Sequence, residues 1–340
     1  MKFRFKSTSL FAAALLTSLS AFAADIDTAA LKHRVDDKDA PIVYMTTDIS
    51  PAGLMKAYEA LGRVPTGKVA VKLSTGEAGN NHYLQPSLIK ELVQKFNADI
   101  VECNTAYGGS RASTAMHRQT IKDHGFDQIA KVNIMDENGG MEIPVTGGKH
   151  LKSDLVGKNL ADYDFMMVLS HFKGHAMGGF GGALKNISIG VASANGKNRI
   201  HTAGMSDEIG TFATIANGAF MSNSSDEHNA FIESMAEAAS AVSDYMGKGE
   251  KMLYISVMNN LSVDCDCDGD PSKPDMHDIG ILSSLDPVAL DQACVDLVYA
   301  APDGASLIKR MESRNGPMIL DHAEEMGLGH KNYRLVSLDK

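Results

Sequence analysis

Three histidines, three lysines and a dense run of glycines fall within residues 170–201, SHFKGHAMGGFGGALKNISIGVASANGKNRIH. His171, His175 and His201 beside Lys185 supply what acid–base, metal or covalent-cofactor chemistry requires. An imidazole can exchange a proton or ligate a metal, and an amine can bond to a cofactor. Gly178, Gly179, Gly181 and Gly182 can take positive φ and let backbone amides approach an anion, and a helix starting at Ala183 would add its N-terminal dipole. The same glycines equally suit close packing of a loop on a helix.

A second group lies downstream in residues 264–269, DCDCDG. Asp264, Asp266 and Asp268 before Gly269, with Asp275 at the twelfth position, resemble an EF-hand calcium loop, although that position is Asp rather than Glu and the flanks read as strands. Cys265 and Cys267 could instead ligate a soft metal as thiolates, with help from His277, Cys294 or another loop. They could also form an oxidised pair in a structural turn. Two more polar loops, STGEAGNNH at 74–82 and CNTAYGGSR at 103–111, contribute Glu77 as base or ligand, Asn104 as a ligand-binding amide and Arg111 as a clamp for a carboxylate or phosphate.

These loops need elements to hold them. Residues 42–45 read as a strand, and Ser50-Pro51 as the cap and first residue of a helix carrying Leu54, Tyr58 and Leu61 and closed by Gly62. Residues 68–73 alternate as a strand, Pro86 opens a helix with Leu88, Leu92 and Phe96 in register, and 99–102 and 165–169 are further strands. Residues 207–246 read as helical with a polar break at 222–226. Strands at 251–257 and 278–283, a helix opened by Asp286-Pro287, two short helices and a strand at 333–338 complete the chain. Strand, Gly-containing loop and helix recur, which predicts an α/β fold with mixed or mostly parallel sheets and flanking helices, in two lobes around a cleft formed by loops at the carboxyl ends of strands.

Residues 1–23 combine Lys2, Arg4 and Lys6 with an apolar run and a small-x-small end at Ala21-Phe22-Ala23, which reads as a signal peptide cut before Ala24 and a periplasmic or secreted protein. No later segment reaches the roughly 20 apolar residues of a membrane span. A net charge of −10 argues against nucleic acid as a partner. Four cysteines are too few for a disulfide scaffold.

The stretches SHFKGH at 170–175, GFGGALKN at 179–186, DCDC at 264–267, DIGIL at 278–282 and DPVALDQA at 286–293 resemble domain of unknown function family 362, described as uncharacterised Fe–S centre proteins. The likeness spans nearly all of residues 24–340. Many members carry a ferredoxin-like insert after the position of His201, whereas residues 202–246 contain no cysteine, so no ferredoxin-type Fe–S cluster is expected. The order His175, Lys185, His201 with Gly-Phe-Gly-Gly between the first two is similar to the nickel-pincer lactate racemase family. That resemblance implies Lys185 as tether of a nucleotide-derived cofactor, His201 as metal ligand, and His175 with His117 as acid–base residues.

The expected function is therefore binding of a divalent metal or an anionic cofactor in a Gly/His/Lys cleft, with redox or acid–base chemistry on a small hydroxy acid and a redox partner. The alternative is a non-catalytic periplasmic protein that binds a metal or a small acid.

Overall fold

The structure is a computed structural model that describes residues 26–210 and 225–339. The leader at 1–23 and most of the polar break at 222–226 lie outside the described residues.

Twelve strands are present among the described residues: β1 Ile42–Thr46, β2 Val69–Lys72, β3 Asp99–Glu102, β4 Val132–Ile134, β5 Gly140–Pro144, β6 Ser153–Gly157, β7 Phe165–His171, β8 Lys173–His175, β9 Gly179–Gly181, β10 Met252–Met258, β11 Gly280–Ser284 and β12 Arg334–Ser337. Eight of them form one unbroken sheet in the order β12-β1-β11-β10-β7-β2-β3-β4. Its pairs are parallel except for the two made by β11. The α/β fold with a mostly parallel sheet is thus observed, and the walls of the cleft are loops and ribbons carried on that single sheet.

Both faces of the central strands are buried, which is why VAVKL at 69–73 and FMMVL at 165–169 read as apolar runs. Val69, Val71 and Met167 face one cluster, with Leu54, Tyr58, Ile89 and Leu92 from helices Pro51–Ala60 and Pro86–Lys95. Ala70, Met166 and Val168 face the other, with Phe231, Met235 and Leu290 from helices Asp226–Tyr245 and Pro287–Ala300. The helix starts are those the sequence marks. Ser50 Oγ accepts the Gly53 N–H at 3.2 Å, and Asp286 Oδ1 accepts from Val288 and Ala289 at 2.9 Å each.

Strands β10, β7, β2 and β3 are neighbours running in one direction, so their carboxyl ends lie side by side. The loops that leave them carry the polar residues singled out above. Two antiparallel ribbons, β5/β6 and β8/β9, stand beside the main sheet. The helix expected from Ala183 is a single short stretch, Ala183–Ile187, and His201 ends a separate helix, Ala194–His201. Residues 207–208 are irregular and 209–210 lie in a turn, not the start of a helix, and the described helix in that region is Asp226–Tyr245. No helix among the described residues is long and apolar enough to cross a membrane.

Candidate functional site

A cavity of about 530 Å³ opens where these strand ends meet. Its walls come from the loops after β2, β3, β7 and β10, and include Glu77, Arg111, His175, Gly181, Gly182, Lys185, His201 and residues 264–269. Lys72, Lys173, Lys197 and Glu102 also line it. Lys173 and Lys197 belong to the run 170–201 without standing out from it, and Lys72 and Glu102 do not stand out in the sequence. The usable signal was Lys72 and Glu102 at the ends of strands otherwise made of buried residues, where a charge needs a reason.

One wall is a closed ionic network. Arg111 Nε donates to Glu77 at 3.3 Å, Nη1 to Glu102 and to Ser74 Oγ, and Nη2 to the Tyr107 hydroxyl at 3.0 Å. Four of its five N–H groups are therefore spent inside the protein, which leaves one for a ligand. Glu77 accepts from the Ser110 amide and hydroxyl as well. Burial alone would raise its carboxyl, but Ser110 and Arg111 hold it below the ordinary value, so it stands as a charged anchor of this wall. Burial likewise opposes ionisation of Glu102, yet Arg111 and His117 hold that carboxyl well below the usual range.

His117 and Asn104 lie behind this wall. His117 is fully buried, with Nε2 3.1 Å from Glu102 Oε2 and Nδ1 3.2 Å from Asn104 Oδ1. Asn104 Nδ2 in turn donates to Thr114 Oγ1. Neither side chain reaches the cavity, which corrects the expectation of His117 as an acid–base group and of Asn104 as a ligand contact. The ring nitrogens of His117 are committed to Glu102 and Asn104, and the two ends of the Asn104 amide to His117 and Thr114.

The glycine run is also reassigned. A Cβ on Gly182 would sit 2.3 Å from Asp291 Oδ1, because that carboxylate accepts the Ala183 and Leu184 amides at 2.7 and 2.9 Å. The helix start foreseen as an anion site is thus already capped by the protein's own anion. Gly179, at φ +78°, lets β9 approach the backbone of residues 311–316 and does not contact the cavity. Gly181 leaves room for the Lys185 side chain, whose Cδ lies 3.2 Å from where a Cβ would stand.

Lys185 points into the cavity, half-buried, and burial together with the charges of Lys72, Arg111 and Lys197 pushes its amine down to about 8. Lys72 is brought to about 8 chiefly by burial, with Glu102 opposing; its Nζ donates to Leu73 O and Asn186 Oδ1. Lys197 Nζ donates to Ala192 O. Among the described residues none of the three has a carboxylate within ion-pair distance. Lys173 differs, since its Nζ meets Asp266 Oδ1 at 3.0 Å.

Two neutral imidazoles complete the cavity in opposite tautomers. His175 Nδ1 accepts the Met177 and Gly178 amides, which places its proton on Nε2; burial, with Lys185 and His201 nearby, holds its pKa well below the ordinary value. His201 Nδ1 donates to Lys197 O at 2.6 Å, which makes Nε2 the lone-pair nitrogen, and burial pushes its pKa down to about 4 against that hydrogen bond.

The calcium reading of residues 264–269 does not hold. Asp266 turns inward to His171 Nδ1 at 2.9 Å and Lys173, Asp264 pairs with Arg310 and Ser272, and Asp268 accepts the Asp270 amide, so the three carboxylates serve separate partners. Cys265 and Cys267 are joined in a disulfide, so they are not thiolate ligands in this state. One group of three or more ligand atoms within 4.8 Å of one another is found among the described residues, His175 with Cys265 and Cys267; His201 and the three aspartates are not in it. Cys294 is buried and free.

Among solved structures the chain is similar to the lactate racemase apoprotein from Thermoanaerobacterium thermosaccharolyticum, at 12% identity and a TM-score of 0.42, covering 88% of this chain and 83% of that one. It is also similar to a Thermotoga maritima protein solved as a structural genomics target, at 13% identity and a TM-score of 0.40, covering 74% of this chain and 56% of that one. No curated protein matches the chain. The profile of a domain of unknown function, DUF362, matches residues 69–296, well over half of the 340, and takes in every strand end that builds the cavity: the chain belongs to the DUF362 family.

Proposed function

We propose that the cavity binds a small organic anion bearing a hydroxyl or carbonyl group, a hydroxy acid or a phosphorylated cofactor, and exchanges a proton with it. The observation that carries this reading is the set of three lysines, Lys72, Lys185 and Lys197, lining one cavity with no carboxylate partner among the described residues. Charges brought out of water without a partner are costly, and a bound anion is the missing counter-charge. His175, donating from Nε2, can orient a ligand hydroxyl, with the Nδ1-protonated His201 lining the same cavity. Lys185, with a pKa of about 8, is better matched than either imidazole to give and take a proton near neutral pH.

A metal held by the protein alone is less well supported, because the one donor cluster among the described residues contains an oxidised cysteine pair. The nickel-pincer resemblance fits on a different footing. Lys185 offers a depressed amine for attachment and the His201 tautomer suits a metal ligand, so these two residues would hold the group. Such a group supplies a hydride acceptor when bound. We also propose that the chain is exported, on the strength of the basic, apolar and small-residue pattern of residues 1–23; a mature N-terminus at Ala24 in the periplasmic fraction is the expected finding, and an uncleaved cytosolic protein would end that reading.

The test of the binding reading is calorimetric titration with lactate, malate, citrate and simple phosphate monoesters. At least one should bind, and Lys185→Ala should weaken it about tenfold or more, the loss of one charge-assisted contact. No binding by any of them at millimolar concentration would sink the proposal, while an intact-mass adduct on the Lys185 peptide with stoichiometric nickel would select the cofactor form of it.

A further inference from the structure

We propose that the Cys265–Cys267 disulfide is a thiol–disulfide exchange site on the cavity rim, opened by a dithiol reductant that attacks the sulfur of Cys267. The bridge spans a sequence separation of only two residues, so it constrains the unfolded chain far less than a long-range bridge would, and fold stability is a poor reason for it. Both cysteines are half-buried and line the cavity, within reach of a small thiol, whereas Cys103, though it borders the same cavity, is only 1% exposed and Cys294 is sealed in the core.

The two sulfurs are not equivalent. The Cys267 amide donates to Cys265 Sγ at 3.3 Å, and a ring nitrogen of His175 lies within 4.8 Å of both sulfurs. A thiolate leaving on Cys265 therefore has an N–H donor in place, which makes it the better leaving group. The acidic neighbours do not cancel this. Asp266 is neutralised by Lys173 and paired with His171, and Asp264 is paired with Arg310; only Asp268 keeps an unpaired charge, on an exposed side chain.

In the exchange, a thiolate of the reductant attacks Cys267 Sγ, the S–S bond breaks and Cys265 departs as thiolate, taking a proton from solvent. The second thiol of the reductant then displaces Cys267 and closes the reductant's own disulfide. Two electrons and two protons pass from the dithiol to the protein. The residue between the cysteines is Asp266, whose carboxylate holds His171 and Lys173 and whose carbonyl accepts the Glu77 amide, so opening the bridge acts on the anchor of the cavity wall.

The experiment is native-state reduction of the mature protein with dithiothreitol, followed by iodoacetamide labelling and peptide mapping. Labels on Cys265 and Cys267 should appear at least a hundredfold faster than on Cys103 and Cys294, whose thiols burial pushes up, that of Cys103 to about 12. Oxidised glutathione should then restore the bridge. Labelling only in denaturant, or no re-formation of the bridge, would overturn the proposal whether or not the cavity binds an anion. For the direction of attack, pH–alkylation profiles of the single variants Cys267→Ser and Cys265→Ser should place the Cys265 thiol about one pH unit below the Cys267 thiol; an equal or reversed order would overturn the assignment of Cys267 as the attacked sulfur.

Discussion

Burial makes Lys185 and Lys72 the two groups of the cavity whose charge changes near neutral pH, both brought to about 8. They carry their charge below that value and lose it above. Affinity for an anion should therefore weaken about tenfold between pH 7 and pH 9 for each lysine the ligand needs protonated. Lys185→Arg should keep its charge throughout, so that titrations across this range show the shallower profile of Lys72 alone; an unchanged profile would remove Lys185 from the site. Asp154 is the opposite case. It is fully buried, neither carboxylate oxygen has a well-formed hydrogen bond among the described residues, and burial raises it to about 7 against the nearby Leu155 amide. Its folded pKa lies above its unfolded one, so the folded state binds more protons between about pH 4 and 7 and stability falls as pH rises through that window. Asp154→Asn should stabilise the protein by about 1–3 kcal/mol at pH 8, with the gain vanishing toward pH 4 in denaturant melts. The sequence disclosed the residue types of the cavity better than their roles. His175, Lys185 and His201 are together because the β8/β9 ribbon and two short helices follow β7, but His117, on helix Thr114–Asp123, meets Glu102 and Asn104 meets His117 and Thr114 instead of the cavity. Which way such a polar side chain turns depends on the partners it meets, and no periodicity encodes that.

At the scale of elements, most of the main sheet was legible, since buried parallel strands leave apolar runs and capped helices leave Ser-Pro and Asp-Pro. What was not legible is informative. The ribbon β5/β6 consists of GMEIP, whose alternation is only five residues long, and SDLVG, whose residues are mixed, and β8/β9 consists of KGH and GFG, too short for any pattern. The reversed direction of β11 is invisible too, because a strand buried on both faces looks alike in either orientation. The β8/β9 ribbon nonetheless decides where the cysteine loop rests. A Cβ on Gly174 would lie 2.4 Å from Val263 O, and the Gly174 amide donates to Ser262 O at 2.9 Å. Backbone cannot yield to a side chain here, so Gly174→Ala should cost about 1–3 kcal/mol in thermal or denaturant unfolding and should raise hydrogen exchange across residues 261–270. Gly181→Ala meets only the flexible Lys185 side chain at 3.2 Å and should be milder in stability.

For the whole molecule, the cavity joins segments as far apart as Lys72 and Gly269, and it brings together three lysines, Lys72, Lys185 and Lys197, that have no carboxylate at ion-pair distance among the described residues. Such a concentration of like charge is held by the rest of the fold against its own repulsion, a pattern typical of sites kept for binding rather than for stability. Lys72 tests this most directly, because it is 1% exposed and its Nζ also makes two hydrogen bonds that a merely structural residue would need. If it is there for a ligand, Lys72→Met removes an unpaired buried charge and should make the ligand-free protein more stable by about 1–3 kcal/mol at pH 7, a rise of roughly 2–4 °C in Tm per kcal/mol for a chain of this size. The advantage should shrink as pH climbs from about 8 toward 10, because the wild-type lysine then folds neutral. The same variant should lose most of the stabilisation that a saturating anion gives the wild type, about 2.7 kcal/mol at a hundredfold excess over Kd. A variant that melts earlier and still gains the full ligand shift would mean that Lys72 braces Leu73 and Asn186, and that the anion's charge is met by Lys185 and Lys197 alone.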